Sequence, residues 1–249
     1  MSDALVTGAS RGVGLALVSA LLTDRSVERV FAASREAVGN PALIALASSY
    51  DRRLFRLDLD VSDEKSVSAA ANTMRAETGR LDLIINCAGV LHNDAGMQPE
   101  KRLADVSTVN LERSFAVNAV GPLLIAKHCQ TLLDNHRRAV FASLSARVGS
   151  IGDNRLGGWY AYRAAKAAQN MITKNLSIEL RRKAKEIICV ALHPGTVDTE
   201  LSQPFQRDIA ASQLHSPHAA ARHLLNVIST LRREDNGGFF AWDGKPIDW

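Results

Sequence analysis

The chain predicts an α/β fold of the doubly wound kind, a single domain over residues 1–249 on a seven-stranded parallel sheet. Three observations predict it. Short β-branched or apolar runs alternate with helical stretches from end to end, the pattern of a parallel sheet covered on both faces by right-handed crossovers. A turn rich in glycine, with Gly8, Gly12 and Gly14, joins the first such run to the first helical stretch. Finally, 249 residues at 46% hydrophobic suit one large core, and no linker or repeat marks a second.

The elements follow in order. Residues 4–7 read as a strand and 12–22 as a helix that starts inside the glycine turn. Residues 30–33 form the second strand; Asn40 then caps a helix that has Pro41 at its first position and runs to about 49. The third strand spans 54–59, and Ser62 caps a helix with Asp63 and Glu64 in its first turn, ending near Gly79. Strand four is 81–86. One long helix is expected over 111–133, containing Gly121 and Pro122, before strand five at 139–143. A helix at 160–182, strand six at 187–192, a helix capped by Ser216 and running from Pro217 to about 231, and a closing strand at 239–242 complete the chain. Two irregular stretches, 91–109 and 196–216, each follow the carboxyl end of a strand, where such sheets bind ligands, and are expected to be substrate loops.

Composition narrows the class. No apolar run approaches the roughly 18 residues of a membrane helix, and Met1-Ser2-Asp3 leads directly into a strand, so no membrane partner is expected. Cys87, Cys129 and Cys189 are scattered without metal spacing; they read as reduced thiols of a cytoplasmic protein, with no metal. The formal charge is +4, but the only dense basic run, Arg181-Arg182-Lys183-Ala184-Lys185, falls where a helix ends and complements its dipole. No nucleic-acid partner is inferred.

The chemistry lies in two places. Thr7-Gly8-Ala9-Ser10-Arg11-Gly12-Val13-Gly14 sits at the first strand–helix junction, where glycines let backbone amides approach a pyrophosphate at a helix N-terminus, the arrangement of a Rossmann dinucleotide site. Its spacing differs by one residue from G-x-G-x-x-G. Tyr162 and Lys166 stand at i and i+4 and share a helix face, so an ammonium is expected to lower a phenol pKa that starts near ~10 and equip the tyrosine to move a proton at neutral pH. Dinucleotide and proton donor together indicate a redox enzyme.

These motifs resemble the short-chain dehydrogenase/reductase superfamily, whose pattern T-G-x-x-x-G-x-G, then N-N-A-G, then Y-x-x-x-K runs through the chain. The resemblance implies that Gly8, Ser10, Arg11, Gly12, Val13 and Gly14 hold the cofactor's phosphates, and that Asp60, with Asp58 as its rival, and Val61 meet the adenine. It places Asn86, Ala88 and Gly89 after strand four, and Pro194, Gly195, Val197 and Thr199 around the nicotinamide. Asn118, Ser145, Tyr162 and Lys166 match the catalytic tetrad: Tyr162 gives the proton, Ser145 bonds the same substrate oxygen, Lys166 holds the ribose, and Asn118 holds a water. Cys87 stands where the family has its second asparagine. Ser143 competes with Ser145, since both lie further before the tyrosine than the family's serine does; Ser145 is favoured because it falls just past the strand. The segment 149–159 and the C-terminal Trp242–Trp249 stretch are similar to the C-factor and sniffer-like carbonyl reductases.

Around this centre, Trp159 and Leu156 either wall the substrate pocket or staple the helix, and His92 either lines the pocket or lies on the surface. Tyr160 reads as packing and His193 as structural, while Leu201, Pro204 and Phe205 suggest an apolar lid. The expected cofactor is NADPH. Strand two ends in Ser34 and Arg35, with no acid until Glu36, and Arg11 brings a second cation to where a 2′-phosphate would lie. The expected activity is reduction of a carbonyl substrate by a homodimer or homotetramer, with an NAD-dependent alcohol dehydrogenase and a non-catalytic dinucleotide-binding signalling protein as alternatives.

Overall fold

A computed structural model describes every residue except Met1, Asp51, 134–136, Lys185 and Asp208. Met1, the Lys185 end of the basic run and Asp208 in the second loop therefore lie outside the described residues. The first half of the sheet comprises β1 (Ser2–Thr7), β2 (Val27–Ser34), β3 (Leu54–Asp58) and β4 (Leu83–Asn86). The second half comprises β5 (Ala139–Leu144), β6 (Ile187–His193) and, last in the chain, β9 (Phe239–Ala241). All seven are parallel, in the order β3-β2-β1-β4-β5-β6-β9. The chain moves outward from β1 in one direction, returns, and continues from β4 in the other. The carboxyl ends of β1 and β4 thus flank the crevice where the order reverses.

The strands are buried on both faces, and their alternation divides the core in two. Val6, Val30, Val140 and Ile188 face α1 (Gly12–Thr23) and α7 (Pro217–Thr230), where Leu17, Leu22, Leu224 and Val227 receive them. Leu5, Phe31, Phe141 and Cys189 face α3 (Glu64–Glu77), α5 (Gly121–Leu133) and α6 (Tyr160–Lys183), meeting Met74, Ile125 and Leu176. A shorter helix, α2 (Pro41–Tyr50), starts where Asn40 Oδ1 accepts the Leu43 N–H at 3.1 Å, as expected of that cap. The Ser216 hydroxyl likewise accepts the Ala219 N–H at 3.2 Å to open α7.

Four expectations need correction. Ser62 does not cap α3: its hydroxyl is drawn to the Asp60 carboxylate at 2.6 Å, and Asp63 takes the Lys65 N–H instead. Strand four starts at Leu83, because the Leu81 N–H is diverted to the Leu132 carbonyl. Strand two is longer than 30–33, since Arg29 within it pairs with Asp3 of β1 at 2.9 Å. The helix expected over 111–133 is two helices, α4 (Thr108–Phe115) and α5, joined by a π-helical turn over Ala116–Val120. Pro122 has no N–H for the carbonyl four residues earlier, that of Asn118, so the ordinary ladder breaks there.

Both long loops carry short elements of their own. A parallel ladder of two-residue strands, β7 (Thr196–Val197) and β8 (Leu214–His215), ties the ends of the second loop together. Among the described residues, no helix is long and apolar enough to cross a membrane.

Candidate active site

The glycine turn leaves β1 at the carboxyl edge of the sheet. Gly8 has a φ of +66°, and a Cβ there would stand 2.7 Å from the Ala88 backbone nitrogen; a Cβ on Gly14 would overlap the Gly8 carbonyl oxygen. Only bare backbone allows the turn to fold onto α1 and onto the segment after β4. Thr7 completes the join, its hydroxyl accepting the Cys87 and Ala88 N–H groups at 3.2 and 3.4 Å. Arg11, at the N-cap of α1, gives no side-chain cap, so the first amides of the helix face outward without one. Close backbone and uncapped amides fit a dinucleotide's pyrophosphate.

At the rim of this cradle the charges are already partly engaged. Arg11 is ion-paired with Glu200 of the second loop, and Gly12 sits under Thr199, whose Cγ2 is 3.2 Å from where a Cβ would be. Ser34 is buried at the end of β2, its hydroxyl without a hydrogen-bond partner among the described residues, while Arg35 beside it is exposed. Asp58 Oδ1 accepts the Val38 N–H at 2.9 Å. Partial burial pushes the Asp60 carboxyl up, but the Ser62 hydroxyl and amide, with Arg113 and Arg35 behind them, outweigh it and hold the carboxyl below its usual range. Val61 is buried against Gly121, where a Cβ would meet it at 3.0 Å.

Tyr162 and Lys166 occupy one buried face of α6, with the Lys166 Nζ 5.7 Å from the centre of the phenol ring. The electrostatics differ from the expected lowering of the phenol pKa. Burial pushes the Tyr162 phenol up, and it pushes the Lys166 ammonium down to about 8, with Cys87 acting weakly the other way. Removing both groups from water disfavours the charged form of each. The Lys166 Nζ donates to the Leu144 carbonyl at 2.7 Å and to Gln169 Oε1 at 2.8 Å, so its strongest contacts are with neutral acceptors. Cys87 is half-buried and its thiol is pushed up to about 12, again by burial.

The two candidate serines separate cleanly. Ser143 is fully buried and accepts a hydrogen bond from Asn86 Nδ2 at 3.3 Å, tying β5 to β4. Ser145 lies past the strand end, and its hydroxyl donates to Asn170 Oδ1 at 2.6 Å. The direction is determined, because Asn170 Nδ2 donates to the Gly149 carbonyl at 3.3 Å. Asn118, inside the π-helical turn, spends its side chain on Val90, donating to its carbonyl at 2.8 Å and accepting its N–H at 3.0 Å. Asn118 Nδ2 also donates to Ser114 Oγ at 3.2 Å, and Gly89 lies against the same amide.

Over this floor lies an aromatic wall. Trp159 packs edge-on to Phe205 and Tyr162, at 4.9 and 6.3 Å between ring centres, and Phe205 meets His92 at 5.8 Å. His92 Nε2 also bonds the Glu200 and Leu201 carbonyls at 3.1 and 3.2 Å, so it joins the first loop to the second. Leu156 does not join the wall: it is 91% exposed. Tyr160 and Pro204 are exposed, and Leu201 is at 36%. The Pro194–Thr199 stretch lines up from the end of β6, with Val197 buried in the β7–β8 ladder and Gly195 at φ +78° against His215 and Trp242. His193 before it is held neutral, its pKa brought down to about 4 by burial with Arg147 and His215 adding to the effect.

The structure therefore gathers Gly8–Gly14, Asn86–Gly89, Asn118, Ser145, Tyr162, Lys166 and Trp159 at one edge. It also adds residues that sequence reasoning did not single out: Gln169, Asn170, Glu100 and Glu200. Gln169 and Asn170 were within reach, because they follow Lys166 by three and four positions and must share its face. Glu100 and Glu200 lie on irregular loops and carried no periodic mark.

A family model described as short chain dehydrogenase matches residues 2–210. The 1-hydroxy-2-glutathionyl-2-methyl-3-butene dehydrogenase of Rhodococcus sp. (strain AD45) is 30% identical over 249 residues, covering 100% of both chains. The C-signal protein of Myxococcus xanthus is 35% identical over 172 residues, which is 69% of this chain and 95% of that one. Among solved structures, an NADPH-bound carbonyl reductase from chicken fatty liver superposes with a TM-score of 0.88 at 31% identity, over 100% of this chain and 99% of that one. The carbonyl reductase Sniffer of D. melanogaster does so at 0.88 and 30%, with 100% of each chain covered. With the glycine turn, the doubly wound sheet and the Tyr162/Lys166 face, these likenesses make the chain an oxidoreductase of the short-chain dehydrogenase/reductase family, in its branch of C-factor and sniffer-like carbonyl reductases.

Proposed function

We propose that the protein is an NADPH-dependent carbonyl reductase acting on aldehydes or ketones as a single-domain cytoplasmic enzyme. The observation that carries the reading is the Tyr162/Lys166 pair, buried together on α6 with Lys166 bonded to Leu144 at the carboxyl end of β5. A bound nicotinamide dinucleotide would supply the hydride. Tyr162, kept as the neutral phenol by burial, is the group that gives a proton to the carbonyl oxygen. Ser145 is the second donor to that oxygen; its hydrogen, held on Asn170 at 2.6 Å, must turn toward the substrate. Lys166 holds the ribose hydroxyls, and Asn118 is the site for a water that returns the proton. The aromatic wall of Trp159, Phe205 and His92 excludes solvent and favours an apolar substrate face.

The choice of NADPH is supported by the end of β2, where Ser34 and the exposed Arg35 stand without an acid before Glu36, and by the NADPH bound in the chicken relative. Assembly as a homodimer or homotetramer is supported by exposed apolar positions on the long helices, Leu123 on α5 with Met171 and Ile178 on α6. NADPH absorbance decay with a panel of aldehydes, diketones and quinones tests the activity, and kcat/KM with each cofactor tests the preference. An NADH preference would favour the alcohol dehydrogenase instead. One observation favours a non-catalytic dinucleotide-binding signalling role, namely that the Ser145 hydrogen is committed to Asn170. Tight NADPH binding without turnover of any carbonyl would decide for it.

A further inference from the structure

The first turn of α6, which carries Tyr162, is gripped from outside by one residue of the 91–109 loop. The Trp159 N–H donates to the Glu100 carbonyl at 2.5 Å, and the Ala161 N–H donates to Glu100 Oε2 at 3.2 Å. The same carbonyl lies 3.3 Å from where a Cβ on Gly158 would be. α6 has no cap of its own: Trp159 occupies the N-cap position without a capping side chain, in the left-handed region at φ 51°, and the first turn contains no acid. An indole cannot accept the amides that a helix start leaves over, so the acceptor must come from elsewhere.

Glu100 is suited to that task by charge as well as position. It is only 3% exposed, and among the described residues its Oε1 has no hydrogen-bond partner. Burying a carboxylate is costly unless something positive faces it, and a helix N-terminus supplies partial positive charge along its axis. The next peptide is fastened too, for Ser114 Oγ donates to the Ala161 carbonyl at 3.2 Å. Ala161 is thus held on both faces, and Tyr162 is the next residue. The strained Trp159, one step before the helix, lays its ring on Tyr162 and Phe205.

We infer that Glu100 is a positioning residue of the active site: it caps α6 from the first loop, and so sets where the Tyr162 phenol and the Trp159 ring stand. This rests on the reading of Tyr162 as proton donor. Glu100 itself touches neither substrate nor cofactor.

The test compares Glu100→Ala, Glu100→Gln and Glu100→Asp with the unaltered protein, reading amide hydrogen exchange at Ala161, kcat and KM for a reduced carbonyl, and the Kd of NADPH. Glu100→Ala is expected to lower Ala161 protection by about tenfold or more. It should lower kcat by about 10- to 100-fold, the scale of a misplaced catalytic group, with the NADPH Kd within about threefold. Glu100→Gln keeps an acceptor at the same length and should restore most of both. If Glu100→Ala does not fold, Glu100→Asp carries the test, since one methylene fewer withdraws the acceptor while keeping the charge. Unchanged Ala161 protection, or a loss of thermal stability with kcat intact, would overturn the assignment. Absence of carbonyl reduction by the unaltered protein would instead count against the proposed function, and the Ala161 exchange would still decide the cap.

Discussion

Tyr162 and Lys166 are each perturbed by the same cause, burial, and that has measurable consequences. Replacing Tyr162 with Phe removes the phenol hydrogen and little else, so kcat for carbonyl reduction should fall by about 10²–10⁴-fold with the NADPH Kd nearly unchanged. Stopped assays beside fluorescence titration would check both. For Lys166, the folded pKa near 8 lies below its ordinary 10.5. Below pH 8 both folded and unfolded chains hold the proton, and burial of the ammonium lowers stability by a constant amount. As pH rises from 8 toward 10.5 the folded chain releases this proton first, so the Lys166 contribution to stability climbs, by of order 3 kcal/mol, while the buried Cys87, Cys129 and Cys189 thiols, pushed up from 9.0, act the other way above pH 9. Lys166→Met should abolish this climb, and denaturant midpoints of the two proteins across that window would show the difference.

At the scale of elements, the site depends on joints between neighbours more than on the elements themselves. The Asn118 amide fastens the π-helical turn to Val90, and Asn118→Ala would leave the half-buried N–H and carbonyl of Val90 without their partner. A loss of about 2–3 kcal/mol is expected, seen as a lowered urea midpoint. The glycine turn is a second joint. Gly8→Ala forces a methyl against Ala88 at a φ that disfavours it, and should weaken NADPH binding together with stability. Cofactor preference belongs to this scale as well. Arg35 is exposed at the end of β2, whereas Arg11 is already paired with Glu200. In Arg11→Ala/Arg35→Asp the ratio of kcat/KM for NADPH over NADH should fall by a few orders of magnitude, about 1.5–3 kcal/mol for each charge-assisted contact. Arg35→Asp alone should account for most of it.

For the molecule as a whole, the parallel order β3-β2-β1-β4-β5-β6-β9 brings residues more than a hundred positions apart to one edge. The glycine turn, the π-helical turn and the α6 face meet there because strand four lies beside strand one and strand five beside strand four. The second loop then spans the crevice, touching the first helix through Arg11 and Glu200 and the first loop through His92.

Much of this was legible in the chain. Alternating apolar runs named the strands, because strands buried on both faces leave no room for polar residues; spacing alone put Tyr162 and Lys166 on one helix face, and the glycines marked the turn. What the chain did not disclose depends on partners distant in sequence. Asn118, inside the π-helical turn that the missing Pro122 N–H brings about, found its side-chain partner in Val90, beyond strand four. Ser62 lost its capping role to Asp63 once Asp60 took its hydroxyl, and Leu156 turned to solvent while Phe205 came to Trp159. The phenol pKa moved up because of burial, a property of the packed fold. Local pattern determined which elements form and where the reactive groups fall along them. Tertiary contact alone decided what each group is bonded to and how far it is removed from water, since hydrogen-bond partners and desolvation arise only when distant segments meet.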